Sequence, residues 1–246
     1  MSLLGLERAG SGPTLVWLHG FTQTKHSGHR FRSILAGSHE LLTIDLPGHG
    51  ENADVSASLE DTADLLAEVL PNDPFVLAGY SFGGRVALHF ALRHPRRLAH
   101  LVVLSATAGI ANDDERRARR QRDDELANRI EAIGADAFLD EWLAQPMFRS
   151  LPVDPVERAA RSHDARGLAD SLRHAGTGTQ GDLTDPLGHL STPTLILAGA
   201  NDEKFANEAM RLGEVIARST RRLVPDAGHA AHLERPESVA SLVATL

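Results

Sequence analysis

Six short apolar runs, "TLVWLH", "LLTID", "FVLAG", "LVVLS", "TLILAG" and "RRLVP", recur along the chain with longer amphipathic stretches between them. Runs of this length without polar alternation suit strands buried on both faces, and the helical patterns between them supply the crossovers that parallel strands require. The alternation predicts an α/β fold with a mostly parallel central sheet flanked by helices. Residues 110–190, between "LVVLSATAG" and "TPTLILAG", interrupt it with a charged stretch of helical composition. That is far beyond the ~4 to 6 residues of a typical connection. The expected organisation is a core in two pieces, residues 1–109 and 191–246, with residues 110–190 inserted as a helical cap. Ligands of open α/β sheets bind beyond the carboxyl ends of the strands, so such a cap would roof the site.

One strand leads into a turn that demands explanation. In "PFVLAGYSFGGRVALHFALRHP" a strand-like run passes through Gly79, Tyr80, Ser81, Phe82, Gly83 and Gly84 into a helical pattern that Pro95 stops. Glycines crowd where a backbone turns too sharply for a Cβ, and Gly-x-Ser-x-Gly between a strand and a helix reads as a nucleophile elbow with Ser81 at its apex. The plainer reading is a serine that only caps the helix.

A serine hydroxyl is a weak nucleophile or base until another group takes its proton. The order serine, acid, histidine is met downstream by Asp202 in "LILAGANDEKF" and His229 in "RRLVPDAGHAAHLERP". Glu203 and Asp226 are rivals for the acid, and His232 for the histidine; loop position favours Asp202, and the freedom of Gly228 favours His229. Developing negative charge also needs donors, which the backbone N–H groups of Phe21, in "LHGFTQT", and of Phe82, just after the serine, are placed to supply.

Composition narrows the chemistry. A formal net charge of −8 gives no reason to expect a nucleic acid or an anionic membrane as partner, and an anionic ligand would need a local basic patch. The chain has no cysteine, which removes thiol catalysis and cysteine-held metals. Its 13 histidines include no His-Glu-x-x-His pair, so no metal is expected. No apolar run has the look of a signal peptide or the ~20 residues of a membrane span, and a cytoplasmic location is expected. Nothing in the sequence sets an oligomeric state.

Taken together, "LHGF", "DLPGHG", "GYSFGGR", the Asp202 loop and "AGHAAHLERP" resemble the α/β-hydrolase fold family over nearly the whole chain. More narrowly, the sequence resembles the 2-succinyl-6-hydroxy-2,4-cyclohexadiene-1-carboxylate synthases of menaquinone biosynthesis, which are lyases on a hydrolase scaffold. Arg85 in "GYSFGGR", the arginines of "ERRARRQRDD", Trp142 in "EWLAQPMF" and Lys204 in "NDEKF" carry that narrower likeness. It implies elimination of pyruvate from a small tricarboxylate substrate without any cofactor. It also implies a substrate-binding set of Arg85, Arg120, Arg161, Trp142, Tyr80 and Lys204, with Arg158 or Arg166 as alternatives to Arg161. Arginine suits carboxylates because its planar fork pairs with them bidentately. Against this, "NDDERRARRQRDDELANRI" also reads as a solvated helix face of mixed charge. The same residues admit a carboxylic-ester hydrolase, or a catalytically silent binding module of the same fold.

Overall fold

A computed structural model describes residues 4–246. Seven strands, β1 (Leu6–Ala9), β2 (Thr14–Leu18), β3 (Glu40–Ile44), β4 (Phe75–Tyr80), β5 (Leu98–Leu104), β6 (Thr194–Gly199) and β7 (Ser219–Val224), form one sheet in the order β1-β3-β2-β4-β5-β6-β7. Only β1 runs antiparallel to its neighbour, pairing Leu6 with Ile44; the other pairings are parallel. The six apolar runs map onto β2 to β7. The short edge strand "LERA" was not among them, because half-exposed alternating residues give no apolar run.

Eleven helices flank or cover this sheet: α1 (His29–Ala36), α2 (Leu59–Val69), α3 (Phe82–Arg93), α4 (Asp113–Ile133), α5 (Ala135–Leu143), α6 (Pro155–Ala159), α7 (Ala165–Ala175), α8 (Thr184–Gly188), α9 (Glu203–Val215), α10 (Ala231–Glu234) and α11 (Pro236–Val243). Successive strand residues point to opposite faces, and along most of β2 to β6 both faces are buried, whereas β7, at the other edge of the sheet, is exposed from Thr220 to Leu223, so the run "RRLVP" is a strand but not a buried one. Val16, Leu18, Leu77 and Val103 pack with Leu66 of α2, Phe90 of α3 and Leu212 of α9. Leu15, Trp17, Val76 and Val102 pack on the other face with Phe31 and Leu35 of α1 and Val239 and Val243 of α11. Hence the strands read as continuous apolar runs. Helices α4 to α8 lie between β5 and β6, and this insertion has its own apolar cluster, including Ala127, Ile130, Phe138, Leu168 and Leu172.

Chain order reverses around β2, which has β3 on one side and β4 on the other. Such a switch point leaves a crevice at the strand carboxyl ends. The loops after β2 and β4, holding Phe21 and Ser81, leave the sheet there.

Candidate active site

Ser81 sits at the end of β4 with φ 52° and ψ −105°, a left-handed φ that a non-glycine residue adopts only under strain of about 1–3 kcal/mol. Neighbouring glycines permit the turn: a Cβ on Gly79 would strike the Gly83 carbonyl, and one on Gly83 the Leu18 carbonyl. The Ser81 N–H donates to the Leu104 carbonyl at 2.9 Å, so the residue remains tied to β5 while its side chain leaves the sheet. It is also the N-cap of α3, where unpaired N–H groups and the helix dipole favour negative charge.

Three loops converge on this hydroxyl. His229 Nε2 lies 3.2 Å from Ser81 Oγ, and His229 Nδ1 lies 2.7 Å from Asp202 Oδ2. Asp202 also caps α9, its Oδ1 accepting from the Phe205 N–H at 3.3 Å, so the plain capping role and the histidine contact coexist in one carboxylate. His229 is buried, ringed by Tyr80, Phe148 and Phe205, and its loop is clamped from behind. Buried Glu234 accepts from the N–H groups of Gly228 at 2.7 Å and Ala230 at 3.2 Å, the two residues that bracket His229. The rivals fall elsewhere: Glu203 and Asp226 are exposed, and His232 is buried against Trp17, Phe31 and Tyr80, with burial holding its pKa well below the usual value. A serine, histidine and carboxylate in this chain can pass a proton from the hydroxyl to the imidazole while the carboxylate steadies the resulting charge.

Above Ser81 is a cavity of about 500 Å³, walled by the sheet loops below and by α4, α5 and α7 above. Phe21, Tyr80, Phe82, Trp142, Phe148 and Phe205 form much of its apolar surface. Four cationic side chains, Arg85, Arg119, Arg122 and Lys204, reach it against one carboxylate, Asp123. Asp123 is itself committed, accepting from Arg119 Nε and from the Gly178 N–H, both at 2.8 Å. Arg85 is buried and donates through Nη1 to the carbonyls of Ala175 at 2.8 Å and Gly176 at 3.2 Å, at the end of α7. Burial, and then the Arg119 charge, lower its pKa to about 9, which leaves it cationic at neutral pH. Lys204 Nζ stands 5.3 Å from the centre of the Phe205 ring. Trp142 packs edge-on to Phe21 at 5.2 Å, its indole nitrogen buried without a partner among the described residues. Ser105, just after β5, also faces the cavity with a left-handed φ of 50° and a hydroxyl that has no partner among the described residues.

Of the expected substrate-binding residues, Arg85, Trp142, Tyr80 and Lys204 line the cavity, and two arginines do not. Arg120 is exposed and 3.6 Å from Asp124, one turn along the outer side of α4; the cavity side of that helix carries Arg119, Arg122, Asp123 and Leu126 instead. Arg161 is buried beneath the site, where Nη1 donates to Thr22 Oγ1 at 2.7 Å, so it braces the loop after β2. Its alternatives are also off the cavity: Arg158 pairs with Asp136 and Asp140, and Arg166 is exposed. Phe21 lines the cavity, and among the described residues its N–H donates to no acceptor. That of Phe82, the first residue of α3, lies where a helix has no internal acceptor to offer. Among the described residues no group of three or more His, Asp or Glu is arranged to hold a metal, and no helix is long and apolar enough to cross a membrane.

A family profile described as "Alpha/beta hydrolase family" matches residues 15–242, from the first buried strand to the last helix. The chain belongs to this family. Within it, the 2-succinyl-6-hydroxy-2,4-cyclohexadiene-1-carboxylate synthase of Enterobacter sp. (strain 638) is 31% identical over 100% of this chain and 96% of its own length. The enzyme of the same name from Serratia proteamaculans is 32% identical over 93% and 91%. Among solved structures, MenH from S. aureus superposes with a TM-score of 0.90 at 32% identity, covering 99% of this chain and 97% of its own. A thermophilic esterase from Thermogutta terrifontis, described with malate bound, superposes at 0.82 with 28% identity over 98% and 91%. The α/β-hydrolase scaffold thus joins this chain to relatives named for two chemistries.

Proposed function

We propose that this α/β-hydrolase is a lyase that eliminates pyruvate from 2-succinyl-5-enolpyruvyl-6-hydroxy-3-cyclohexene-1-carboxylate, giving 2-succinyl-6-hydroxy-2,4-cyclohexadiene-1-carboxylate in menaquinone biosynthesis. The observation that carries the reading is identity of 31–32% over nearly the full chain to synthases of that name, joined to a cavity whose free charges are cationic. The substrate has three carboxylates. A protein of net charge −8 must gather positive charge locally to hold it, as Arg85, Arg119, Arg122 and Lys204 do.

In this mechanism Ser81 acts as a base. His229 takes the Ser81 proton, and Asp202 holds the imidazole in place and stabilises its charge. The serine oxygen removes the ring proton beside the succinyl ketone, and the electron pair moves onto the ketone oxygen, which the Phe21 and Phe82 N–H groups receive. Collapse of that enolate makes the C2–C3 bond double, moves the ring's existing C3–C4 double bond to C4–C5 and breaks the C5 bond to the enolpyruvyl oxygen, which leaves as pyruvate enolate and takes up a proton. Trp142 and Tyr80 shape the apolar wall. Residues 110–190 act as the cap between the two core pieces, a role supported by the apolar cluster they share and by the four α4 side chains that line the cavity. The reading carries a cytoplasmic location, since a triply charged intermediate does not cross a membrane unaided.

A second reading, a carboxylic-ester hydrolase, draws on the likeness to the Thermogutta esterase. One experiment separates the two: pyruvate release from the enolpyruvyl substrate against cleavage of short p-nitrophenyl esters, with intact-protein mass measured during turnover. The lyase releases pyruvate with Ser81 unmodified. Ester turnover without pyruvate, or an acyl adduct on Ser81 formed from the enolpyruvyl substrate, would overturn it.

A further inference from the structure

The motif "DLPGHG" is left without a role by the mechanism, yet its fifth residue, His49, is a fully buried histidine at the floor of the site. His49 Nδ1 is 3.0 Å from the Pro47 carbonyl, which can only accept, so the proton is on Nδ1 and Nε2 is an acceptor. That acceptor takes the Thr22 N–H at 3.3 Å. Burial first, and then the neighbouring His19, lower the His49 pKa to about 3, so the acceptor persists at any working pH.

Across the loop after β2, Gln23 Oε1 accepts the Gly20 N–H at 2.9 Å, and the Gln23 N–H turns back onto the Gly20 carbonyl at 3.1 Å. Gly20, Thr22 and Gln23 thus spend their N–H groups within the protein, and the Phe21 N–H is left over. Thr22 holds a φ of 70°, poorly suited to a β-branched residue, and is fixed there by three other residues. Its carbonyl accepts from Ser162, its hydroxyl from Arg161 and its N–H goes to His49. The His49 ring also stands between the two proposed donors of the oxyanion site, edge-on to the Phe21 ring at 5.6 Å and stacked on the Phe82 ring at 5.5 Å.

We propose that His49 and Gln23 are positioning residues for oxyanion stabilisation: by taking the N–H groups on either side of Phe21, they leave that one free and hold it facing the cavity alongside the Phe82 N–H. The inference rests on the reading of Phe21 and Phe82 as the donor pair. Neither residue lines the cavity, so each acts through the loop.

The test uses His49→Phe, which keeps a ring between Phe21 and Phe82 and removes the acceptor, His49→Gln, whose amide oxygen can take the Thr22 N–H, and Gln23→Met. Two rates are measured on each folded protein. One is pyruvate release, resolved into kcat and KM. The other is covalent labelling of Ser81 by a fluorophosphonate, whose phosphoryl oxygen needs the same donors whatever the natural substrate. Loss of one such donor costs about 100- to 1,000-fold, so a displaced one should lower kcat and labelling by roughly 10- to 100-fold with KM nearly unchanged. His49→Gln should recover most of both. If His49→Phe does not fold, Gln23→Met carries the comparison alone. Labelling at the wild-type rate in the folded Phe or Met variant would overturn the proposal. Labelling that follows the expected order while even the wild type releases no pyruvate would instead retire the lyase reading and leave this one standing.

Discussion

Replacing Glu234 by glutamine isolates the clamp behind the histidine loop. In the wild type one carboxylate serves the N–H groups on both sides of His229, and it is buried. Glutamine keeps one acceptor and turns an NH₂ group toward the other N–H. The variant loses one charge-assisted hydrogen bond, worth about 1.5–3 kcal/mol, and strands a buried donor. At about 2–4 °C per kcal/mol for a chain of this size, the melting temperature should fall by roughly 4–10 °C. The effect on rate is the sharper measure. His229 Nε2 is already 3.2 Å from Ser81 Oγ, at the long end for such a bond, and a misplacement of ~1 Å costs about a hundredfold. Pyruvate release at saturating substrate should therefore fall about 10- to 100-fold, with KM within about twofold because Glu234 is off the cavity wall. The measurements are steady-state kinetics coupled to pyruvate reduction, and thermal unfolding. A melting temperature lowered as expected beside an unchanged kcat would refute the reasoning and reduce Glu234 to a brace for α10.

Alanine at Arg85 or Arg122 should lower kcat/KM by about 10- to 100-fold, Arg119→Ala by less because Asp123 already shares its charge, and Arg120→Ala by no more than about twofold. Steady-state kinetics in which Arg120→Ala was the most damaged would reverse the assignment of the α4 face. Ser81→Ala, Asp202→Asn and His229→Ala should each depress turnover by orders of magnitude, and a double variant little further, since the three act as a unit; additive losses would count against the relay. Stability should fall on acidification. Burial lowers His19 to about 4 and His49 to about 3, so between those values and ~6.5 the unfolded chain binds more protons than the folded one. At pH 5 each histidine should cost about 2 kcal/mol relative to pH 7, read from denaturant unfolding at the two pH values, with equal midpoints as the contrary result. Ser105→Gly, which relieves a left-handed φ and removes an unpartnered buried hydroxyl, should stabilise by about 1 kcal/mol in the same measurement; a loss would mean that the hydroxyl has a partner.

What could be read from the sequence depended on how locally each signal is written. Strands β2 to β6 announce themselves because both of their faces are largely covered; of the two edge strands, β7 shows only through the short run "RRLVP" although its middle is exposed, and β1 carries no such mark. Ser81, Asp202 and His229 each sit in a short motif whose position after a strand carries its meaning. The α4 arginines are different: five lie between residues 116 and 122, nearly two turns, and only packing against α7 sets which of them turn inward. Hence Arg119 and Arg122 could not be told from Arg120. Arg161 was visible as a cationic residue but not as the brace of Thr22, 139 positions away. Glu234 stands five residues beyond His229 in "AGHAAHLERP", a spacing that identifies it once the loop is seen to curl back on its carboxylate.

The division of labour between sheet and insertion bears on which chemistry the chain performs. A serine relay and paired N–H donors serve an acyl transfer and a proton abstraction equally well, so the loops after β2 and β4 cannot separate lyase from esterase. Discrimination must come from whatever fixes the substrate over Ser81. Arg119 and Arg122 stand on α4, and Arg85 rises from the sheet but is tied to the end of α7, so three of the four cavity cations depend on the insertion for their placement. On the proposed reading, a trianion held by them presents a ring C–H to the serine in one orientation. A neutral ester would gain nothing from the three guanidinium groups and would have to enter a cavity where, among the described residues, only Arg119 has a carboxylate partner, Asp123. Grafting neutral side chains at Arg85, Arg119 and Arg122 together should therefore abolish pyruvate release while leaving p-nitrophenyl acetate cleavage, however slow in the parent, undiminished or increased. Parallel loss of both activities would show that these arginines support the fold of the site rather than choose its substrate.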